Sequence, residues 1–313
     1  MSTSETDARA ILRRPAAVFV AWFPWFLAAY FVAQTLRRLV EAPNLNVDEA
    51  DFMVPTQAFA WGYGAHPPLY AWLQMLLFET FGRSVLSFAL LKNLLLFGAF
   101  YFIFRTALSV LGDRTRAVAV AMSTFLLPQI LWEDQLAQSH SVAVVFATAA
   151  TAFVLVRLMS RPTLTAYGLL GVVVAVGVLS KYNYLLFLLG LAGAALTVPS
   201  GRRALVDRRT LLVSLPIAVA AILPTALWSL SNLSIALSRT AKFMIDTETS
   251  RWNVMAVGLG DLALAVAGFS AICLAVYGAV AFFPYERFAL FRAISARLVG
   301  GVGTGDRTGP GLT

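Results

Sequence analysis

The sequence predicts an all-α integral membrane protein, a helical bundle of about eight transmembrane helices with interfacial helices in its first outer loop. Three observations carry that prediction. Of 313 residues, 59% are hydrophobic and only 13% charged, about half the charged share of an ordinary globular domain. The apolar residues fall into long runs separated by small basic clusters, the pattern of membrane topology. No ten-residue stretches of alternating hydrophobicity occur, so helices rather than a barrel must satisfy the backbone in lipid. The net charge of +8 is scattered between the runs and forms no phosphate-tracking stripe, which argues against a nucleic-acid partner. Cys273 stands alone, so neither a disulfide framework nor a cysteine metal site is available.

A crossing helix needs roughly 20 apolar residues. Eight segments approach that length: 17–36, 84–108, 117–132, 138–157, 164–180, 182–198, 211–230 and 256–283. The first follows Arg9, Arg13 and Arg14, as a signal peptide would. Its apolar stretch is too long for an h-region and has no small-x-small exit, so it reads as a retained anchor. Residues 1–16 then form an N-terminal segment, 17–283 the membrane domain, and 284–313 a glycine-rich polar tail that cannot bury a core. The glycines of 300–305 follow no strand and make no dinucleotide fingerprint.

Sidedness follows from charge. With the N-terminus cytoplasmic and eight spans, the inner segments hold sixteen basic and six acidic residues, a net +10, and the outer side eight and ten, a net −2. Retention of Lys and Arg on the cytoplasmic side sets this orientation, with both termini inside the cell membrane. The outer side also collects His66, His140 and five of the seven tryptophans. An aromatic belt explains part of this, but a belt should occupy both interfaces. The one-sided concentration points to chemistry or binding at the extracytoplasmic face.

Residues 37–67 form the first outer loop, and within it Asn46-Val47-Asp48-Glu49-Ala50-Asp51 puts three carboxylates into four positions. One helical turn there sets Asp48 and Asp51 on one side with Glu49 turned away. Crowded carboxylates can supply a general base; the competing reading is an acidic cap at a helix N-terminus. His66-Pro67-Pro68-Leu69 follows, an extended lead into a helix with Pro68 at its start. The stretch 69–81 is apolar but too short to span, which places it at the interface.

Three features in this order resemble the polyprenyl-phosphate-sugar-dependent GT-C glycosyltransferases: Asp48-Glu49 just after the first span, His66-Pro67-Pro68-Leu69, and Gly82-Arg83-Ser84-Val85-Leu86-Ser87-Phe88-Ala89-Leu90-Leu91-Lys92. The resemblance covers roughly 15–230 and is nearest to the protein O-mannosyltransferase and lipid A aminoarabinose transferase group, which includes bacterial lipopolysaccharide sugar transferases. It implies a GT-C-like fold and an inverting transfer from a polyprenyl-phosphate sugar donor to a lipid, polysaccharide or protein acceptor. It also implies that Asp48 is the catalytic carboxylate, supported by Glu49, Asp51 and, in the second outer loop, Asp134. His66 stands where the family commonly has Lys, and Lys92 where it has Arg. Both are expected on the donor phosphate together with Lys181 of the Ser180-Lys181 dipeptide. Leu223-Pro224-Thr225-Ala226-Leu227-Trp228 resembles a Pro-His-x-x-Trp segment of the family, with Thr225 in place of His.

Lys92 lies about 12 Å into its helix, and an intramembrane charge is costly and by default functional. Lys181 between Ser180 and Tyr182 reads either as a phosphate contact or as an interfacial anchor. Arg251 offers a further phosphate contact in a stretch that otherwise reads as a solvated amphipathic helix. Trp61, Trp72 and Trp132 can stack on a sugar ring. No metal motif occurs; His140, six residues beyond Asp134, matches none, so a divalent cation is compatible with the acidic residues but not indicated. The resemblance further implies that relatives continue with more spans and a soluble outer domain, so a shortened member is expected here. The competing functions are a transporter or flippase of lipid-linked substrates, which would show an internal repeat and polar residues spread through the midplane, and a non-catalytic relative of the transferase.

Overall fold

A computed structural model describes the backbone of residues 3–41, 44–130, 139–238 and 251–282, and side chains over 17–41, 44–130, 140–238 and 252–279. No strand occurs among the described residues. The chain divides into two units, residues 1–256 and 257–313.

In the first unit, α1 (Thr3–Glu41) is the first apolar helix. It passes through Pro24, which has no N–H to give to the carbonyl four residues back. Arg114 takes that place: its guanidinium donates to Val20 O and Ala21 O, both at 2.8 Å. The outer loop then holds α2 (Val47–Asp51) and α3 (Leu69–Phe81). The latter has the bounds expected from its apolar run between Pro68 and Gly82, the glycine lying at φ 73°. Next come α4 (Val85–Leu111), α5 (Arg114–Ser123) and α6 (Ser139–Ser160). They are followed by α7 (Leu164–Ser180), α8 (Tyr184–Thr197), α9 (Pro199–Val206), α10 (Leu215–Ser231) and the single turn α11 (Leu233–Ala236). α12 (Arg251–Phe282) begins in the first unit. From Val257 to Phe282 it is the described part of the second.

Five segments are long and apolar enough to cross a membrane: Ala17–Glu41, Val85–Leu111, His140–Ser160, Thr210–Ser231 and Trp252–Ala279. Three of the eight expected spans have another form. The segment 117–132 is apolar enough, but α5 stops at Ser123 and the chain tightens into a 3₁₀ turn, Thr124–Leu126. Residues 131 and 132 lie outside the described residues. The segment 164–180 is a single helix of 17 residues, short for a crossing. The segment 182–198 is α8, which turns by 118° into α9; the pair counted as one span would make six. Pro199 causes the turn, since the residue before a proline is driven out of the α region, and Val198 is extended at φ −100°, ψ 131°. The expected tail, 284–313, lies outside the described residues.

The core sits between α1 and α4. Phe23, Leu27 and Phe31 repeat every fourth residue along one face of α1 and are buried. Phe23 packs 5.1 Å from Phe104 and Phe31 5.5 Å from Phe100. Phe125, in the 3₁₀ turn, closes on Phe100 at 4.3 Å. α6 presents buried Ala143, Ala147 and Ala150, small side chains of the kind that let helices approach closely where lipid supplies no hydrophobic drive.

Candidate active site

The site grows from the smallest helix. Asn46 is extended at φ −73°, ψ 164°, and its backbone N–H donates to Glu49 Oε2 at 2.9 Å. This is the reciprocal half of a capping box, so Asn46, not Asp48, takes the cap position. The helical turn that follows splits the acidic cluster as its spacing predicts. Glu49 is 1% exposed and faces inward, whereas Asp48 and Asp51 line a cavity of about 410 Å³.

The opposite walls of this cavity bring nitrogen. His66 and His140 line it with rings 4.5 Å apart, and Phe52 flanks His140 at 5.1 Å. Lys181, just past the end of α7, also lines it and donates from Nζ to Ser141 Oγ at 3.0 Å. Two carboxylates, two imidazoles and an ammonium thus share one cavity. Carboxylates can take a proton from a hydroxyl, and cationic nitrogen can hold phosphate oxygen.

The loop that supplies Asp48 and His66 is held from outside. Arg83 donates to Thr56 O at 2.9 Å and Met53 O at 3.3 Å, with its guanidinium over the Phe78 ring at 5.2 Å. Trp72 Nε1 donates to Ala60 O at 2.9 Å. Gly62 lies against α10 so closely that a Cβ there would come within 2.1 Å of the Trp228 ring. Only glycine allows that contact.

The other expected site residues lie elsewhere. Trp61 and Trp72 are not on this cavity; with Phe59 they form an aromatic cluster with ring separations of 5.1–5.8 Å. Trp61 instead borders a second groove of about 540 Å³ with Pro224, Leu227, Trp228, Ser231 and Asn232. Lys92 is not on the cavity wall either. It is 3% exposed, with Nζ 3.9 Å from Glu49 Oε1. Glu49 Oε2 also accepts from Arg38 Nη2 at 2.8 Å. Asp134 and Trp132 lie outside the described residues, as does the side chain of Arg251. Among the described residues no group of three or more His, Cys, Asp or Glu is placed to hold a metal ion. Thr225, in the place of the family's His, is buried on α10, and its Oγ1 has no hydrogen-bond partner among the described residues.

Sequence reasoning assigns no role to His140 or Arg38. His140 lies seventy-four residues from His66, and no spacing rule joins them. Arg38 reads as one more basic residue at a helix end; only its distance to Glu49 distinguishes it.

Comparison with known proteins identifies the family. A family model described as dolichyl-phosphate-mannose-protein mannosyltransferase matches residues 65–228. The lipopolysaccharide core galacturonosyltransferase RgtB of Rhizobium johnstonii is 33% identical over 83% of this chain and 53% of its own length. The lipopolysaccharide core galacturonosyltransferase RgtA of the same organism is 32% identical over 81% of this chain and 51% of its own length. Its lipid A galacturonosyltransferase RgtD is 24% identical over 72% and 46%, respectively. The chain spans about half the length of the curated relatives it matches. No solved structure matches it. By the family model and the sequence relatives together, the chain is a membrane protein of the dolichyl-phosphate-mannose-protein mannosyltransferase family, GT-C in type.

Proposed function

We propose that the protein is an inverting glycosyltransferase that moves a hexuronic acid, galacturonic acid by analogy with its relatives, from a polyprenyl-phosphate donor to a lipopolysaccharide acceptor at the extracytoplasmic membrane face. The observation that carries the reading is the single cavity in which Asp48 and Asp51 meet His66, His140 and Lys181. In the proposed reaction Asp48 takes the proton of an acceptor hydroxyl as its oxygen attacks the anomeric carbon. The new C–O bond forms on the face opposite the donor phosphate. The bond from the anomeric carbon to the phosphate oxygen breaks, and polyprenyl phosphate leaves with the electron pair. Lys181 and the His66–His140 pair meet the charge that develops on the leaving phosphate.

The eight-span topology with both termini cytoplasmic belongs to the same proposal. It is supported by the +10 against −2 division of charge; five of its eight crossings are helices long and apolar enough to span. It sets α2 and α3 at the outer interface, where a lipid-phosphate headgroup lies. The test is transfer by the purified full chain in nanodiscs, with polyprenyl-phosphate galacturonic acid and a lipopolysaccharide core acceptor. A positioned general base contributes about 10²–10⁴-fold, so Asp48→Asn should lose that much of kcat while expressing normally. Undiminished transfer by Asp48→Asn would remove Asp48 from the chemistry. Passage of the donor lipid across the bilayer without transfer would instead favour a flippase.

A further inference from the structure

The cavity face of α2 carries the proposed chemistry, and its opposite face carries a buried charge cluster that chemistry does not use. Glu49 is 2% exposed at its side chain, Lys92 4% and Arg38 13%. Charges withdrawn from solvent are tolerated only when paired and hydrogen-bonded. Here one carboxylate accepts two hydrogen bonds and faces a further cation at 3.9 Å, each from a different part of the chain. Arg38, in the last turn of α1, donates to Glu49 Oε2 and also to Asn44 O at 2.9 Å. Lys92, in α4, faces Oε1. The N–H of Asn46 closes the third contact. A helix of five residues cannot hold itself together, since even helices of about 12 residues are marginal alone. The orientation of α2 therefore rests on what grips it, and Glu49 is the point where α1, α4 and the loop grip it together.

We propose that Arg38, Glu49 and Lys92 are positioning residues. They form a buried ionic tie that fixes the rotation of α2 about its axis, and so the aim of Asp48 into the cavity. Lys92 acts through Glu49 and not on the donor phosphate. The assignment rests on the reading of Asp48 as the base, and it is sharp because Asp48 is the next residue on the same turn. A misplacement of about 1 Å in a reacting group costs about 100-fold in rate.

The test uses the full chain in nanodiscs with polyprenyl-phosphate galacturonic acid as donor. Lys92→Met should lower kcat about 100-fold and leave the donor KM unchanged, and Lys92→Arg should restore most of the rate. A raised KM with kcat held would make Lys92 a phosphate ligand and overturn the proposal. If Lys92→Met fails to fold, Glu49→Asp keeps the charge but shortens the tie by one methylene, and the same split is expected of it. Amide exchange over residues 46–52 needs no turnover. It should quicken in Lys92→Met and return in Lys92→Arg, with exchange in α4 and α6 unaltered. Unchanged exchange at 46–52 would overturn the tie even if the wild type proves inactive. Quickened exchange in a chain that makes no product would keep the tie and remove the transferase reading.

Discussion

Gly177→Ala is the substitution whose cost can be worked most directly from the structure. A Cβ on Gly177 would lie 2.2 Å from Tyr184 Cζ, 2.3 Å from Cε2 and 2.4 Å from Cε1, over the plane of the ring. Ordinary contact begins near 3.4 Å, so the ring must withdraw by about 1 Å, given that carbon atoms rest about 3.5–4.0 Å apart. Tyr184 has nowhere to go: it is 1% exposed, and its hydroxyl is 2.7 Å from Thr151 Oγ1 on α6. Overpacking of a tight site costs about 1–3 kcal/mol, and a lost buried hydrogen bond adds about 1 kcal/mol. The sum is about 2–4 kcal/mol.

The turn between α7 and α8 carries Lys181, so the same displacement should also lower kcat/KM for the donor. The assay is the unfolding midpoint in detergent, read beside Gly190→Ala, where a Cβ meets nothing within 4 Å and no loss is expected. Tyr184→Phe, which removes only the hydroxyl, should cost about 1 kcal/mol, because Thr151 keeps its bond to Ala147 O at 2.7 Å. A wild-type midpoint for Gly177→Ala, or equal losses at Gly177 and Gly190, would refute the reasoning.

Two other sites give independent expectations. Thr225→Val should raise the unfolding midpoint, because it removes a buried hydroxyl that has no partner among the described residues at nearly constant shape; such a group costs about 1–3 kcal/mol. A lower midpoint would mean that the hydroxyl is satisfied in the membrane. Lys181→Met should lower kcat/KM for the donor about 10- to 100-fold, the equivalent of about 1.5–3 kcal/mol for a hydrogen bond to a charged group. The unfolding midpoint of that variant should stay close to wild type, since Lys181 is only half-buried. An unchanged kcat/KM would leave Lys181 as an anchor.

Local physics makes a good part of this molecule legible from its residues alone. The apolar runs mark the long helices, the Pro68 to Gly82 interval bounds α3, and the spacing of Asp48, Glu49 and Asp51 separates the inward carboxylate from the two that face the cavity. Each depends on neighbours within a turn or two. The features that escape such reading depend on distance along the chain. Lys92 stands out as a buried charge, but its counter-ion Glu49 comes from a loop forty-three residues earlier, and sequence spacing cannot pair them. His140 joins His66 because α6 packs against α4 and also touches α3, the helix that His66 leads into. The break after Ser123 is hidden because residues 117–132 are mostly apolar and carry no charge, and apolarity measures suitability for lipid rather than helical continuity.

Every role proposed for the cavity residues requires that this chain transfer sugar by itself. Mass spectrometry of a lipopolysaccharide core acceptor, incubated with the purified chain and polyprenyl-phosphate galacturonic acid, answers that in one measurement. The acceptor should gain a single hexuronosyl residue with the wild-type protein and none with an equally well folded Asp48→Asn variant. An acceptor that stays unmodified with the wild type, or is modified equally by both proteins, would contradict it.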